Sequence, residues 1–173
     1  MGYKIRLMIM KHYEKTILIP SNPENIFNFT DNHANFSAHM NQASWMMGGG
    51  RMDISTDEGY GRQIGSHIHM TGKALGISIF LDEVVTDHRP PRIKTWETVG
   101  NLRLLVIGHY KMGFEIIPQA EHSSLRVFID YDLPTANVWL GRLFGNFYAR
   151  WCVAQMIKGV SDHFILINNK PQA

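Results

Sequence analysis

Two tyrosines on neighbouring predicted strands are the residues best placed to do chemistry inside this protein. Tyr110 and Tyr131 each combine an apolar ring with a hydroxyl that needs a hydrogen-bond partner when buried. Such a hydroxyl can anchor the polar group of a ligand or polarise a carbonyl in acid–base catalysis. His69, Glu97 and Asp130 are the other titratable candidates. No spacing pairs a nucleophile with a base, so the sequence leaves binding and catalysis both open.

Two histidines raise the question of a metal. His67 and His69 stand two residues apart, which places both on one face of a predicted strand. They could hold a metal ion if a third ligand converged on them, but no carboxylate or cysteine has a spacing that requires this. We therefore predict no metal and no cofactor. The single cysteine, Cys152, is expected to be a small buried hydrophobic residue.

Aromatic residues are predicted to line a cavity around these polar groups. Successive residues of a strand face opposite sides of the sheet, so one parity of each strand forms an apolar wall. An apolar wall with a few polar anchors is typical of small-molecule sites, although each residue could instead simply fill the core. The predicted ligand-binding residues are Trp45, His69, Phe80, Trp96, Tyr110, Phe114, Tyr131, Phe147 and Trp151.

One long helix, predicted over residues 134–167, would position part of this set. Pro134 suits the first turn of a helix, and Gly141 and Gly145 are expected to let the helix approach the sheet or a short helix closely. We expect a charge at Trp151 to unfold the protein. Apolar residues recur at steps of three and four, which predicts one buried face made of Leu140, Phe144, Phe147, Trp151, Ala154, Val160, Phe164 and Ile167.

The chain before this helix has the alternating pattern of short strands. A first strand is predicted at residues 13–19, followed by two short helices, the first capped within residues 20–24 and the second running through Phe36 and Met40. Six more strands are predicted at residues 46–56, 62–71, 75–86, 93–99, 104–117 and 124–133. The gaps are too short for helical crossovers, so the sheet must be antiparallel and the fold class α+β.

Composition limits the domain organisation and the partners. With 173 residues, 45% of them hydrophobic, the chain can bury one sizeable core, and we expect a tail at residues 1–10 and a single domain at 11–170. Its net charge of +2 comes from scattered residues, so no nucleic-acid partner is indicated. No run of apolar residues is long enough for stable membrane insertion. The lone cysteine favours a cytoplasmic protein, and the oligomeric state is left open.

Three local patterns carry a resemblance to a known superfamily. They are residues 17–27 (ILIPSNPENIF), a strand-to-helix junction; 84–93 (VVTDHRPPRI), a strand–Pro–strand junction; and 125–134 (LRVFIDYDLP), a last strand that runs into the final helix. Together with the order of predicted elements, they make the chain resemble the START / Bet v 1-like (SRPBCC) superfamily, in particular its bacterial polyketide cyclase/dehydrase and lipid-transport-like branch.

This resemblance implies a helix-grip fold, in which a curved antiparallel sheet, two short helices and a long C-terminal helix enclose a cavity. It also implies the binding or transport of a small hydrophobic molecule that is lipid-like, aromatic or polyketide-like. The alternatives are a cofactor-independent cyclase or dehydrase, a quinone-binding protein and a protein-interaction module. Two or more polar groups converging inside the cavity would favour an enzyme.

Overall fold

A computed structural model describes residues 10–38 and 51–168. The elements in chain order are β1 (Lys11–Ile19), α1 (Pro23–Asp31), α2 (His33–Phe36), β2 (Met52–Thr56), β3 (His67–Ala74), β4 (Ile77–Arg89), β5 (Ile93–Arg103), β6 (Tyr110–Gln119), β7 (His122–Tyr131) and α3 (Val138–Asn168). The seven strands form one antiparallel sheet in the order β1-β7-β6-β5-β4-β3-β2. The predicted α+β helix-grip architecture is confirmed.

The two short helices begin at asparagine caps. The Asn22 side chain accepts a hydrogen bond of 2.8 Å from the backbone N–H of Asn25, and Pro23 occupies the first helical turn of α1. Asn32 caps α2 in the same way. These contacts confirm the predicted capping of α1, whereas Met40, expected in the second helix, lies outside the described residues.

A buried lysine attaches α1 to the sheet. Lys94 on β5 donates from Nζ to the carboxylate and the backbone carbonyl of Asp31, each at 2.9 Å, and His88 Nε2 lies 3.0 Å from the same carboxylate. Because Asp31 ends α1 just before α2, these bonds also fix the position of α2. Burial lowers the pKa of Lys94, an effect that the attraction of Asp31 opposes.

The predicted parity of the last two strands is confirmed. The inward residues are buried, namely Tyr110, Met112, Phe114 and Ile116 on β6 and Leu125, Val127, Ile129 and Tyr131 on β7. The outward residues pair across strands: Arg126 with Glu14 and Glu115, and Asp130 with His12. One face of the sheet is therefore an apolar core and the other a polar surface.

Two predicted strand boundaries are wrong. The predicted strand 104–117 starts too early, since β6 begins at Tyr110 and residues 104–109 form a connecting segment. The preceding strand, β5, continues through Gly100, at a φ of 62°, as far as Arg103. Residues 62–66 belong to a turn, since the Asp57 carboxylate accepts bonds from Gly59, Ser66 and His67 that hold the chain there until β3 begins. The predicted second strand starts at Met52 within the described part, and residues 46–50 lie outside it.

The long helix begins later than predicted. α3 starts at Val138, after Asn137 at a φ of 55°, and Pro134 lies in the buried connection from β7. Within the described residues, no helix is long and apolar enough to cross a membrane.

The buried face of α3 also differs from the predicted one in its first half. Phe144 and Phe147 are 44% and 51% exposed, whereas Gly141, Gly145 and Ala149 are buried. A Cβ atom at Gly141 would lie 2.3 Å from Pro134 Cδ, and one at Gly145 would lie 2.9 Å from the carbonyl oxygen of Val106. At these two glycines α3 therefore comes closest to the segments that follow β5 and β7, rather than to the sheet or a short helix. The helix is apolar around much of its circumference, so periodicity alone fits more than one face.

Candidate functional site

A small cavity lies between α3 and the inner face of the sheet. Its volume is about 30 Å³, room for roughly two water molecules. The apolar part of its wall consists of Met70, Leu81, Leu104, Ile107, Met112, Ile129 and Met156. Its other lining residues carry polar groups and are Ser37, Glu83, Trp96, Tyr110, Tyr148 and Cys152. Polar groups from β4, β5, β6, α3 and the residue that follows α2 therefore converge on one apolar space.

A carboxyl–phenol pair is the main polar feature of this wall. Tyr110 on β6 donates a hydrogen bond from Oη to Glu83 Oε1 on β4, and both side chains are buried. Burial raises the pKa of Glu83 to about 7, against the opposing influence of Tyr110 and Trp96. Burial, followed by the nearby Glu83, raises the pKa of Tyr110 well above its ordinary value. The phenol therefore remains protonated and serves as the donor.

Further polar atoms surround the second oxygen of Glu83. His33 Nε2 lies 3.5 Å from Glu83 Oε2 and 3.2 Å from Ser37 Oγ. Within residues 10–38 and 51–168, neither Glu83 Oε2 nor Trp96 Nε1 has a hydrogen-bond partner of normal geometry, although both atoms are buried. The cavity wall thus holds one acceptor and one donor that can bond to a ligand.

The long helix supplies a second pair of polar residues one turn apart. Tyr148 and Cys152 both line the cavity, and burial raises the pKa of the Cys152 thiol to about 12. Because a thiol is a weak nucleophile until it ionises, Cys152 is not suited to nucleophilic catalysis. The expectation that Cys152 is buried is confirmed.

An apolar segment separates this cavity from a second hollow. Leu104, Ile107 and Tyr148 line both spaces, and the second hollow, of about 90 Å³, is completed by residues of β2–β4 and by Leu105 and Val106. Leu104, Ile107 and Tyr148 therefore lie between the two spaces.

The structure brings two of the predicted ligand-binding residues to the cavity, Trp96 and Tyr110. Phe114 is fully buried behind them, where its ring centroid lies 5.4 Å from that of Phe36. Tyr131 is buried beneath Gly145. Trp151 is half-buried, with its ring 5.9 Å from that of Tyr148. These last three belong to the surrounding core rather than to the cavity lining.

Three predicted residues lie away from the cavity, which corrects the sequence-based assignment. His69 and Phe80 have the outward parity of β3 and β4, and Phe80 is 43% exposed. Phe147 is 51% exposed because the glycine face of α3 turns it to solvent. Glu97 and Asp130 also lie on the outward parity of their strands. Trp45 lies outside the described residues.

Two central residues of the site were not predicted from the sequence. The inward parity of β4 is Ile79, Leu81, Glu83 and Val85, so a carboxylate among apolar neighbours was the available signal for Glu83. His33 shares a helical face with Phe36, three residues later, which was a weaker signal.

Within the described part of the chain, one group of three side chains has the spacing of potential metal ligands. His67, His69 and Asp82 each offer an atom within 4.8 Å of the others. The cluster lies on the outer face of the sheet, on the opposite side from the cavity, so it is separate from the cavity chemistry.

The fold has clear relatives among solved structures. Norcoclaurine synthase from Thalictrum flavum, in complex with dopamine and hydroxybenzaldehyde, aligns with a TM-score of 0.66 at 11% identity, over 99% of this chain and 96% of that one. A protein from Thermus thermophilus aligns with a TM-score of 0.62 at 12% identity, over 92% of this chain and 100% of that one. Ara h 8.0201 aligns with a TM-score of 0.58 at 10% identity, over 90% of this chain and 98% of that one.

Sequence comparison gives no closer assignment: no family model matches the chain, and no curated protein sequence does. At these identities the structural likeness concerns the fold. The alignments with norcoclaurine synthase and Ara h 8.0201 cover 94% and 90% of this chain, so the likeness includes both the antiparallel sheet and the long C-terminal helix. The chain therefore has a Bet v 1-like helix-grip fold.

Proposed function

We propose that this protein binds a small hydrophobic molecule carrying one polar group, in the cavity between α3 and the sheet. The observation that carries the proposal is the buried carboxyl–phenol pair of Glu83 and Tyr110, which lies in a wall whose remaining surface is mostly apolar. An apolar body would replace cavity surface, and the polar group would bond to Glu83 Oε2 or Trp96 Nε1. The free thiol of Cys152 supports action in a reducing compartment such as the cytoplasm.

Binding of an aromatic molecule requires the cavity to enlarge. The cavity volume is about 30 Å³, and part of the segment 104–107 lies between it and the neighbouring 90 Å³ hollow. Within this segment Leu104, Leu105 and Val106 are half-buried, so moving them outward exposes less apolar surface than moving fully buried residues would, and Ile107 is the buried member that would be uncovered most. We therefore propose that the ligand enters by displacing this segment.

Native mass spectrometry of freshly purified protein tests the proposal, because a retained small molecule would identify the ligand class. A titration with two probes, 2-naphthol and naphthalene, tests the polar contact. We expect 2-naphthol to bind about tenfold more tightly, the effect of roughly one net hydrogen bond. Glu83→Gln and Tyr110→Phe should reduce that preference.

The matched control is Glu115→Gln on the outer face, where the carboxylate contacts Arg126 and not the cavity. It should leave both affinities unchanged. A protein without retained ligand that binds neither probe would contradict the proposal.

A second candidate function is a cofactor-independent cyclase or dehydrase. It is favoured by the convergence of more than two polar groups on the cavity, with the Tyr110 phenol able to polarise a carbonyl and Glu83 beside it. The likeness to norcoclaurine synthase, itself solved with dopamine and hydroxybenzaldehyde, supplies compounds to test. Consumption of both by the wild-type protein, reduced at least tenfold in Tyr110→Phe, would favour catalysis over carriage.

A further inference from the structure

We propose that His67, His69 and Asp82 form a binding site for one divalent transition-metal ion, such as Zn²⁺, on the outer face of the sheet. Their three ligand atoms lie within 4.8 Å of one another. His67 Nδ1 is 2.9 Å from Asp82 Oδ2, and His69 Nδ1 is 3.1 Å from Asp82 Oδ1. Two imidazoles and a carboxylate are a donor set that suits zinc and neighbouring first-row metals.

The sheet places these atoms before any metal arrives. His69 is directly opposite Asp82 in the β3–β4 register, and His67, two residues earlier, lies diagonally across from it. The two imidazole rings are stacked, with centroids 5.8 Å apart and planes 21° apart, so both present Nδ1 towards the same carboxylate. Ligands held on paired strands need little rearrangement to bind an ion.

The distances are close to those of a coordinated ion. Two atoms that each lie about 2.1 Å from zinc in tetrahedral geometry are about 3.4 Å apart. The present N···O distances of 2.9 and 3.1 Å would need to widen only slightly. In the metal-free form a proton on each Nδ1 allows it to donate to Asp82. To bind the ion through Nδ1, each neutral imidazole would carry its single ring proton on Nε2 instead, and the ion would take the place of the two hydrogen bonds to Asp82.

The site would be open to solvent. The side chains of His67, His69 and Asp82 are 42%, 51% and 29% exposed, so an ion can reach them directly. Three protein ligands leave at least one position of a four-coordinate ion for water or for a ligand from another molecule. The bound ion would also link β3 to β4 and so stabilise this end of the sheet.

Isothermal titration of full-length, untagged and chelator-treated protein with ZnCl₂ tests the site, and Co²⁺ absorption reports its geometry. We expect one zinc ion per chain. His69→Ala and Asp82→Asn should each weaken binding by more than about tenfold, since each removes a direct ligand. Both positions are on the outer face, and circular dichroism verifies that the variants fold.

His12→Ala is the matched control. His12 also lies between two carboxylates, but its Nδ1 contacts Asp130 at 2.7 Å and its Nε2 contacts Glu14 at 3.1 Å, so its ligand atoms point in opposite directions. This variant should bind zinc like the wild type. Wild-type protein that binds no zinc overturns the proposal, as do His69→Ala and Asp82→Asn variants that bind it with unchanged affinity.

Discussion

Glu83 owes its properties to its position rather than to its residue type. On the polar face of the sheet a carboxylate such as that of Glu115 pairs with an arginine, whereas Glu83 is on the inner face and fully desolvated. Its proton is therefore retained to a pH of about 7, and its Oε1 accepts from Tyr110. A group that would be a solvated charge elsewhere becomes a specific hydrogen-bonding partner inside the cavity.

Removing the phenol hydroxyl should destabilise the protein. We expect Tyr110→Phe to lower the free energy of unfolding by about 1–3 kcal/mol, because Glu83 Oε1 would lose its donor while remaining buried. Urea unfolding followed by circular dichroism measures the change. Tyr60→Phe, at a position 70% exposed, is the control and should have almost no effect. Equal stability of the two variants would contradict the assigned role of the hydrogen bond.

The thiol of Cys152 should be protected from reagents in the folded protein. Because burial raises its pKa to about 12, almost no thiolate exists at pH 8 and the side chain is not exposed. A thiol-reactive disulfide dye should therefore react only at the rate of unfolding. The control is Cys152→Ala with Lys158→Cys, which moves the thiol to an exposed helix position and should react rapidly. Rapid reaction of the wild type would contradict this burial.

The same thiol should make stability depend on alkaline pH. The unfolded thiol ionises near its ordinary pKa of 9.0 and the folded one near 12, so this stabilising effect is complete below about pH 9 and lost as the pH rises towards 12. Above pH 9, the unfolding free energy of the wild type should fall faster than that of Cys152→Ala. The difference in slope should approach about 1.4 kcal/mol per pH unit. Unfolding free energies measured from pH 8 to 10.5 for both proteins would detect it. Parallel curves would contradict the expectation.

At the scale of elements, the position of α3 depends on glycines where larger residues cannot fit. Gly141→Ala should destabilise the protein by about 1–3 kcal/mol, although alanine favours helix, because its Cβ would overlap the Pro134 ring. Gly159→Ala is the matched control, since a Cβ there meets nothing within 4 Å, and it should stabilise by up to about 1 kcal/mol. Thermal unfolding distinguishes the two signs. An increase in stability in both variants would contradict the close contact between α3 and Pro134.

The buried face of α3 can be mapped with charges. Val153→Asp should prevent folding, because it places an unpaired carboxylate at a position with no exposed surface. Leu143→Asp, at a position 64% exposed, should fold normally. Trp151 is half-buried, so Trp151→Asp is expected to destabilise rather than abolish folding, a milder effect than the sequence predicts. Soluble expression and cooperative melting are the readouts, and a stable Val153→Asp variant would contradict the assigned face.

At the scale of the whole molecule, β4 connects two candidate sites on opposite faces of the sheet. Leu81 and Glu83 face the cavity, whereas Asp82 between them faces the metal-ligating cluster. Strand alternation keeps the two environments separate although the residues are consecutive. Both proposals can therefore hold at once without sharing a ligand atom.

This separation predicts independent stabilisation by the two ligands. The rise in unfolding free energy caused by saturating 2-naphthol should be the same with and without ZnCl₂, within about 0.5 kcal/mol. Urea unfolding with each ligand alone and with both together shows whether the two increases in unfolding free energy add. The control is His69→Ala, in which 2-naphthol should still stabilise and zinc should have no effect. If ZnCl₂ changed the stabilisation by 2-naphthol by more than about 0.5 kcal/mol, the two sites would be coupled through β4.

Part of the fold was predictable because it depends on local order. Asparagine caps, turn residues and the alternation of β6 and β7 act over a few residues, and they indicated the antiparallel sheet and the inward placement of Tyr110. The segment at residues 104–109 has the apolar pattern of a strand, but its apolar residues serve another purpose: they cover the cavity. The face of α3 was ambiguous because most of its circumference is apolar.

The sequence by itself determined the α+β class, the order of the elements and the character of each strand, since these follow from residue spacing and backbone geometry. Only the tertiary structure decided which groups meet. Glu83 and Tyr110 are 27 residues apart, and His67 and Asp82 are 15 apart, yet each pair forms a hydrogen bond. Burial and pKa depend on everything packed around a group, which periodicity along the chain does not contain.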